Sequence, residues 1–341
     1  MKVSRRARIA AGILGALVAS LGLAAIATGA TADKNYGAIV TDTAGLNDRS
    51  FNFLANKGRL RAEEQLQMDT RAFISKTSAD YLPNLAAAAQ EAGSGGVVVA
   101  NGFLLGADLN TAAGQFKNTN FAIVDFPWGA LADKPANALG LTFKAQESGY
   151  LVGYLAALMA KAKGGKQVLS AVGGKKLPSV DSWIAGYRAG AQKVTPKIKV
   201  LIAYSGDFPP SVAPKCKEIA LNHIAQGAQS VFQVAGGCGL GALDAAKQKK
   251  VWGIGVDADQ YYLGSHILTS GVKRVDNAVY NAFRASQAGT LQGGRDLVFN
   301  LKNKGQDVGR ISPKVPKAFI AQMNAQKKLI ISGKVVPPDK L

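Results

Sequence analysis

The segment GAIVTDTAGLNDRSFN, residues 37–52, joins an apolar run to groups that could bind a polar ligand. The run ends at Asp42, and two asparagines and Phe51 follow within ten residues. Carboxylates and amides form hydrogen bonds, and an aromatic ring can stack on a flat molecule. Asp48 and Ser50 have a simpler interpretation, because either can cap the helix that would begin here. We favour that role for these two residues, but it does not account for Phe51.

The elements that position this segment follow from apolar runs that recur along the chain. Several runs are continuous rather than alternating, which is typical of strands buried on both faces. Helix-sized segments separate them, and this alternation predicts an α/β protein with parallel sheets flanked by helices. The predicted strands are Tyr36–Thr41, Thr70–Ile74, Gly96–Ala100, Phe121–Val124, Leu139–Phe143, Val168–Val172, Val200–Tyr204, Val231–Val234, Val251–Val256 and Ile267–Ser270. More than five such units indicate two sheets, and hence two lobes.

Three helices are predicted between the strands, at Tyr81–Glu91, Ala145–Ala162 and Val272–Ala288. The tail, Val315–Leu341, is predicted to contain one helix and then a short strand around Leu329–Ile331. Ligands of open parallel sheets bind in the crevice beyond the carboxyl ends of the strands. The opening segment lies at such a strand end, so we expect it to face a ligand cleft.

The first 32 residues are typical of a secretory signal peptide. Four basic residues precede residue 9, residues 9–26 are apolar or small apart from Ser20, and Ala-Thr-Ala at 30–32 suits signal peptidase. An uncleaved anchor is the alternative, because 18 such residues could just span a bilayer. No cysteine lies near the cleavage site, so we expect no lipid anchor on a mature N-terminal cysteine. We expect export to the periplasm or to the extracellular or cell-wall space.

The chain is strongly basic, with 41 Lys and Arg residues against 22 acidic residues. Removing the signal peptide leaves a net charge of +15. The basic residues are scattered, and the densest run, Lys247 to Lys250, contains no aromatic residue of the kind that stacks on bases. We therefore predict no nucleic-acid partner, and favour a solvated basic face attracted to anionic membrane or wall polymers.

Cys216 and Cys238 are the only cysteines. In an oxidising compartment a lone pair favours one structural disulfide, although two free thiols remain the alternative. Only His223 and His266 could complete a metal cluster, so we predict no metal site.

The motifs along the mature chain resemble those of one family. TDTAGLNDRSFN is similar to the opening D-x-G-G-x-x-D-x-S-F-N of the basic membrane protein family, the purine-nucleoside-binding proteins of ABC importers. The other similar segments are FAIVD (121–125), LTFKAQESGYLVGYLAALMA (141–160), VGGKKLPSV…GYRAGA (172–191), YSGDF (204–208), FQVAGGCGLG (232–241), GIGVDADQ (253–260), ILTSGVKRVDNAVY (267–280) and KLIISGKVVPP (328–338). This chain departs from the family at Ala44, where a glycine is usual, and at Cys238, where a threonine is common.

The resemblance implies a type I periplasmic-binding-protein fold, with two Rossmann-like lobes joined by a three-crossover hinge. The lobes would comprise residues 33–141 plus 264–292 and residues 142–263 plus 293–335. The family encloses a purine nucleoside between the lobes, with its base between two phenylalanines, which are Phe51 and Phe208 here. The implied polar set is Asp42, Asn47, Asp125, Gly237, Asp257 and Lys273.

Residue chemistry agrees with this set. Carboxylates accept hydrogen bonds from ribose hydroxyls, and Lys273 would offset repulsion among three aspartates. A surface lysine at a helix start is its alternative, and the helix dipole disfavours one there. Gly236-Gly237 allows close approach of a ligand but suits a tight turn equally well. Asp259 is interpreted as a cap or a solvent-facing residue, and Trp128 as a cover for the cleft or a packing residue.

The expected function is capture of a purine nucleoside and its delivery to an ABC permease, by a monomer without a cofactor. A free purine base or a sugar-like ligand is the alternative cargo, and sensing for a membrane receptor is the alternative role. A nucleoside hydrolase is a third possibility, but the sequence has no clustered aspartates, no histidine pair at metal spacing and no nucleophile elbow. We therefore predict that the protein is not an enzyme.

Overall fold

The computed structural model describes residues 35–341, and the predicted signal peptide, residues 1–32, lies outside these described residues. Two six-stranded sheets form the framework. The first sheet contains β1 (Tyr36–Thr41), β2 (Asp69–Phe73), β3 (Val97–Asn101), β4 (Asn120–Val124), β5 (Ala138–Phe143) and β11 (Arg295–Phe299). The second contains β6 (Val168–Gly173), β7 (Lys199–Tyr204), β8 (Ser230–Val234), β9 (Trp252–Asp257), β10 (Ile267–Lys273) and β12 (Gln306–Val308).

Helices connect the strands and cover the faces of both sheets. They are α1 (Phe51–Leu66), α2 (Tyr81–Ala92), α3 (Gly106–Gln115), α4 (Ala145–Lys163), α5 (Pro178–Val194), α6 (Ala213–Ala225), α7 (Gly239–Gln248), α8 (Val275–Gln287) and α9 (Lys317–Ile331). None of these helices combines the length and apolar character needed to cross a bilayer, within residues 35–341.

Strand order is β11-β5-β4-β3-β1-β2 in the first sheet and β12-β10-β9-β8-β6-β7 in the second. All pairings are parallel except that of β10 with β12, which is antiparallel. The central strands are buried along their whole length, which explains their continuous apolar runs. The predicted α/β class with two sheets is confirmed.

The chain passes between the sheets three times, after β5, after β10 and after β11. The predicted lobe boundaries stay a prediction, but strand pairing differs from them at two points. β10 lies within the segment 264–292 assigned to lobe 1, yet it pairs in the second sheet. β11 lies within the segment 293–335 assigned to lobe 2, yet it pairs with β5 of the first sheet. Each difference arises because the chain crosses to the other sheet after the strand, whereas the predicted boundary lies in the loop before that strand.

All ten predicted strands are present, with ends that differ by at most a few residues. The strand predicted around Leu329–Ile331 is wrong, because α9 continues through it. Met323 and Ile330 are seven residues apart and both buried, so the helical period keeps one apolar face on the core. The helix then ends before Gly333, which has a φ of 76° and donates its N–H to the carbonyl of Ile330.

The core of the second sheet depends on close packing of α4 against α5. Glycines stand where the two helix backbones meet. A Cβ atom at Gly153 would lie 2.0 Å from the carbonyl oxygen of Tyr187, and one at Gly186 would lie 2.1 Å from that of Gln146. Only glycine permits this approach, which accounts for the glycine spacing in ESGYLVG and AGYRAG. The helix pair is thus held firmly, and α5 contributes Trp183 to the cleft described below.

Candidate ligand-binding cleft

Loops at the carboxyl ends of strands from both sheets line one cleft. Its empty volume is about 550 Å³, which includes space open to solvent. The lining residues are Asp42, Ala44, Asp48, Phe51, Gly102, Phe103, Leu104, Asp125, Leu177, Ser179, Val180, Trp183, Phe208, Val234, Gly236, Val256, Asp257 and Lys273.

Asp42 follows β1 and is held by a buried network of polar groups. Its Oδ1 accepts hydrogen bonds from the N–H of Ala44 at 3.0 Å and from Asn52 Nδ2 at 2.6 Å. Asn101, at the end of β3, in turn donates from Nδ2 to Asn52 Oδ1 at 2.7 Å. Burial raises the pKa of Asp42 above its ordinary value, and the two hydrogen bonds oppose that rise. The network fixes the carboxyl group in one orientation at the cleft wall.

Asp48 caps α1, as the sequence predicts. Its carboxylate accepts from the N–H groups of Ser50 and Phe53, each at 3.0 Å, and of Asn52 at 2.8 Å. Burial raises the pKa of Asp48 to about 7, although these three hydrogen bonds favour the charged form. Asp48 also lines the cleft, so the same carboxylate caps α1 and forms part of the cleft wall.

The capping role predicted for Ser50 is wrong. Its hydroxyl makes no bond to the helix and instead reaches the second sheet. Ser50 Oγ donates toward Asp257 Oδ2 at 2.8 Å and lies 3.1 Å from the carbonyl oxygen of Val256. Nearby, Gln260 Nε2 donates to the carbonyl oxygen of Arg49 at 3.2 Å. The loop after β1 is therefore hydrogen-bonded to the end of β9 in the other sheet.

Asp125 and Asp257 occupy equivalent places at the ends of β4 and β9. Both have left-handed backbone conformations, with φ values of 66° and 61°. Aspartate adopts this region more readily than most residues, but the conformation still costs free energy. In each case it turns a strand-end carboxylate toward the cleft, where Asp257 Oδ1 has no hydrogen-bond partner. Burial raises the pKa of Asp257, and Lys273 and Ser50 oppose that rise.

Lys273 ends β10 and lies in the middle of this group, 2% exposed. Its Nζ is 2.7 Å from Asp125 Oδ2 and 3.8 Å from Asp257 Oδ1. The same Nζ lies 5.2 Å from the centre of the Phe51 ring and 5.8 Å from that of Trp183. The alternative of a surface lysine at a helix start is therefore wrong. Lys273 joins the two sheets through a buried ion pair.

The two phenylalanines named by the resemblance both line the cleft, one from each sheet's loops. Phe51 begins α1 beside Gly102, where a Cβ atom would lie 3.6 Å from its ring. Phe208, in the loop after β7, lies directly against Gly174, where a Cβ atom would come within 2.3 Å of its ring. Glycine at position 174 thus leaves room for the Phe208 ring.

Six of the eight predicted ligand-binding residues line the cleft, and two do not. The six are Asp42, Phe51, Asp125, Phe208, Asp257 and Lys273. Asn47 is exposed on the loop before α1. Gly237 is buried against Pro210, where a Cβ atom would come within 2.5 Å, and Gly236 lines the cleft instead.

Sequence reasoning missed Phe103, Ser179 and Trp183. Phe103 follows the end of β3, so the strand-end rule could have found it. Ser179 and Trp183 lie in the first turns of α5, and no pattern distinguishes them from ordinary helix residues. Of the two open assignments, Trp128 donates from Nε1 to the carbonyl oxygen of Pro135 and packs beside the core. Asp259 is exposed and accepts hydrogen bonds from the N–H groups of Tyr261 and Arg310.

The predicted disulfide between Cys216 and Cys238 is present and joins α6 to the start of α7. Both cysteines are buried in the apolar cluster that these two helices form with the second sheet. Within residues 35–341, no group of three or more histidine, cysteine, aspartate or glutamate side chains is arranged to hold a metal ion.

Comparison with known proteins gives consistent results. Residues 37–340 match the family described as "ABC transporter substrate-binding protein PnrA-like". The ABC transporter nucleoside-binding protein BmpA of Lactococcus lactis subsp. cremoris (strain MG1363) is 35% identical over 331 residues, covering 89% of each chain. A crystal structure of a solute-binding protein of an ABC transporter system from Aeropyrum pernix K1 has a TM-score of 0.79 and 26% identity, covering 89% of this chain and 93% of that one.

A sugar-binding protein of a Bacillus halodurans sugar ABC transporter shares the fold at lower identity. Its TM-score is 0.59 at 14% identity, over 83% of this chain and 99% of that one. These likenesses confirm the predicted type I periplasmic-binding-protein fold. Because the family match spans almost all described residues, this chain belongs to the Bmp family of PnrA-like ABC transporter substrate-binding proteins, which are binding proteins rather than enzymes.

Proposed function

We propose that this protein binds a purine nucleoside in the cleft between its two sheets and delivers it to an ABC permease. The observation that carries the proposal is the presence of Phe51 and Phe208 in the lining of one cleft, each in a segment connected to a different sheet. A purine has two broad apolar faces, and an aromatic ring on each face adds stacking free energy.

The polar groups of the cleft suit the remaining parts of a nucleoside. Asp42, Asp125 and Asp257 offer carboxylate oxygens to hydroxyl and ring N–H donors. Asp257 Oδ1 is buried without a hydrogen-bond partner, so a ligand donor would satisfy it. Lys273 stabilises the negative charges that would otherwise repel one another. The relative from Lactococcus lactis carries the description nucleoside-binding, which supports the same ligand class.

We further propose that the protein is exported, that residues 1–32 are removed, and that it acts as a monomer without a lipid anchor. Ligand capture would be coupled to closure of the two halves, because the ligand contacts both only when they are together. The Lys273–Asp125 and Ser50–Asp257 contacts join the halves in the arrangement described here.

Calorimetric titration tests the ligand class. The described residues 35–341 fall within one compact unit, and the titration uses this unit after denaturation, dialysis and refolding to remove any bound ligand. We expect heat of binding with inosine, guanosine or adenosine, and weaker or no heat with free bases and simple sugars. A response to sugars alone would favour the sugar-like alternative, and silence from every nucleoside would remove the proposal.

A matched pair of variants tests the aromatic sandwich. Phe208→Ala should weaken nucleoside binding by about 5-fold to 150-fold, since stacking on one aromatic contributes about 1–3 kcal/mol per base. Phe53→Ala is the control, because Phe53 lies in α1 beside the site but its side chain is exposed. Equal affinities for both variants would show that Phe208 does not contact the base.

A further inference from the structure

Positive charge is divided unequally between the two halves of the molecule. Residues 35–143 and 274–299, which build the first sheet and its helices, carry 11 basic and 12 acidic side chains. Residues 144–273 and 300–341, which build the second, carry 25 basic and 9 acidic side chains. The whole excess of positive charge in the mature chain therefore belongs to the second half.

Within that half, nine lysines gather at one end of the sheet, which we call the cationic pole. They lie in the last turns of α4, α5 and α7 and in the segments that lead from these helices into the amino ends of β6, β7 and β9. The nine are Lys161, Lys163, Lys166, Lys193, Lys197, Lys199, Lys247, Lys249 and Lys250. In parallel strands all these loops must lie at the same sheet edge, opposite the edge where the cleft is found.

Hydrogen bonds hold the loops side by side. Gln229, which precedes β8, donates from Nε2 to the carbonyl oxygens of Gly164 at 2.8 Å and Lys166 at 2.7 Å. The N–H of Lys199 bonds to the carbonyl oxygen of Gln167, and the N–H of Trp252 to that of Gln229. The lysine-bearing loops thus form one continuous surface rather than three separate ones.

The cationic pole has no acidic partner of its own. All nine lysines are exposed, and none forms an ion pair among the described residues. The three loops contain no aspartate or glutamate, and Asp244, one turn before Lys247, is paired with Lys217 at 2.6 Å. Four of the lysines lie in last turns of helices, where the dipole favours a cation. The other five follow the helices, so the dipole does not explain them.

We propose that the cationic pole docks on an anionic lipid surface. Lysine is a compact point charge suited to phosphate headgroups, and each lysine near a charged bilayer adds to the attraction. The loops contain no arginine and no aromatic residue, the types that read and stack on nucleic acids. They also contain no large exposed apolar residue, so binding is electrostatic and does not insert the protein.

The geometry leaves the cleft free in this docked state. A strand of six residues is about 20 Å long, so the pole and the cleft stand at opposite ends of the second sheet. The corresponding loops of the first sheet, residues 67–68, 93–96 and 116–119, contain only one lysine, Lys117. Docking would therefore orient the molecule with its second half toward the lipid, whichever ligand the cleft accepts.

Vesicle sedimentation of residues 33–341 tests the proposal. The protein should sediment with vesicles that contain phosphatidylglycerol and stay in solution with pure phosphatidylcholine. Bound protein should be released as ionic strength rises from about 0.01 M to about 0.15 M, where the Debye length falls from about 30 Å to about 8 Å. Binding that is equal on neutral vesicles, or indifferent to salt, would overturn the proposal.

Two variants of equal net charge separate position from total charge. Lys163→Gln, Lys197→Gln, Lys249→Gln and Lys250→Gln together should lower the partition coefficient on anionic vesicles about tenfold or more. The control replaces four exposed lysines of the first half, Lys57, Lys76, Lys117 and Lys134, with Gln and should retain most binding. An equal loss of vesicle binding in both variants would overturn the proposal that the cationic pole is the docking surface.

Soluble polyphosphate provides the last comparison. A pole that binds polyphosphate while ignoring phosphatidylglycerol vesicles would overturn the assignment to lipid. Nucleoside titration of the pole variant should match the unchanged protein, because its four lysines lie outside the cleft. Failure of nucleoside binding in both proteins would therefore reject the proposed ligand without bearing on the pole.

Discussion

Lys273 illustrates how a single side chain can hold two halves of a molecule together. It belongs to the second sheet, its closest partner Asp125 belongs to the first, and both are almost completely buried. Removing one member of a buried pair leaves the other charge without compensation, which is much more costly than losing an exposed pair. Here loss of the lysine would leave the carboxylates of Asp125 and Asp257 without their shared cation.

Lys273→Met should therefore lower the free energy of unfolding by about 3–5 kcal/mol, measured by urea denaturation with far-UV circular dichroism. Methionine keeps most of the length of the side chain and removes only its charge. Lys217→Met is the control, because its pair with Asp244 is largely open to solvent and should be worth at most about 1 kcal/mol. Similar losses in the two variants would contradict the stabilising role given to Lys273.

The strand-end rule placed Asp42 at the cleft because it directly follows an apolar run, whereas Asp125 and Asp257 were implied by the family resemblance. The same resemblance implied Asn47 and Gly237, which do not line the cleft, because the direction of a side chain within a loop depends on backbone torsions. Gly45 and Gly236 both have positive φ and turn the chain just before these residues. Ser50 was also misjudged, since its partner Asp257 is 207 residues away. No local pattern carries that information.

At the level of elements, the apolar runs predicted ten strands and their parallel arrangement. β11 and β12 were missed, and the physical reason is clear for β11. β11 is an edge strand with mostly exposed side chains and begins with two charged residues, so it lacks the apolar run of a buried strand. Its pairing with β5 joins segments about 155 residues apart, which a single sequence does not reveal.

The loop from β6 to α5 also shows how a strand end shapes the site. Gly174 gives the Phe208 ring its place, so a methyl group there should displace the ring. Gly174→Ala should weaken nucleoside binding about tenfold, within the range expected for one stacking contact, when measured by calorimetry. Gly114→Ala in α3 is the control, because its Cβ would meet no atom within 4 Å. Unchanged affinity in Gly174→Ala would show that nucleoside binding does not depend on the position of the Phe208 ring.

At the scale of the whole molecule, the two halves are joined by polar contacts as well as by the three crossing segments. Ser50 is the clearest case, because its hydroxyl lies between the first loop of one sheet and a strand end of the other. Such a contact forms only when the halves are together, so it biases the equilibrium toward that arrangement. Removing this contact should shorten the lifetime of the bound ligand.

Ser50→Ala should speed nucleoside dissociation about tenfold, as expected for loss of one or two hydrogen bonds of about 1 kcal/mol each. Stopped-flow displacement measures this rate directly. Ser332→Ala is the control, because its hydroxyl is exposed and bonds only to the nearby carbonyl of Leu329. Identical dissociation rates for the two variants would mean that the Ser50 bridge does not hold the halves together.

The exchange of segments between the sheets has a consequence for biogenesis. The first sheet is completed only by β11, so a growing chain lacks that edge until residue 299 of 341 has been synthesised. The first sheet cannot be assembled from one contiguous half of the polypeptide, and pairing across such a sequence separation slows folding. A nascent chain of this design therefore keeps β5 of the first sheet without its outer neighbouring strand until most of the polypeptide has been made.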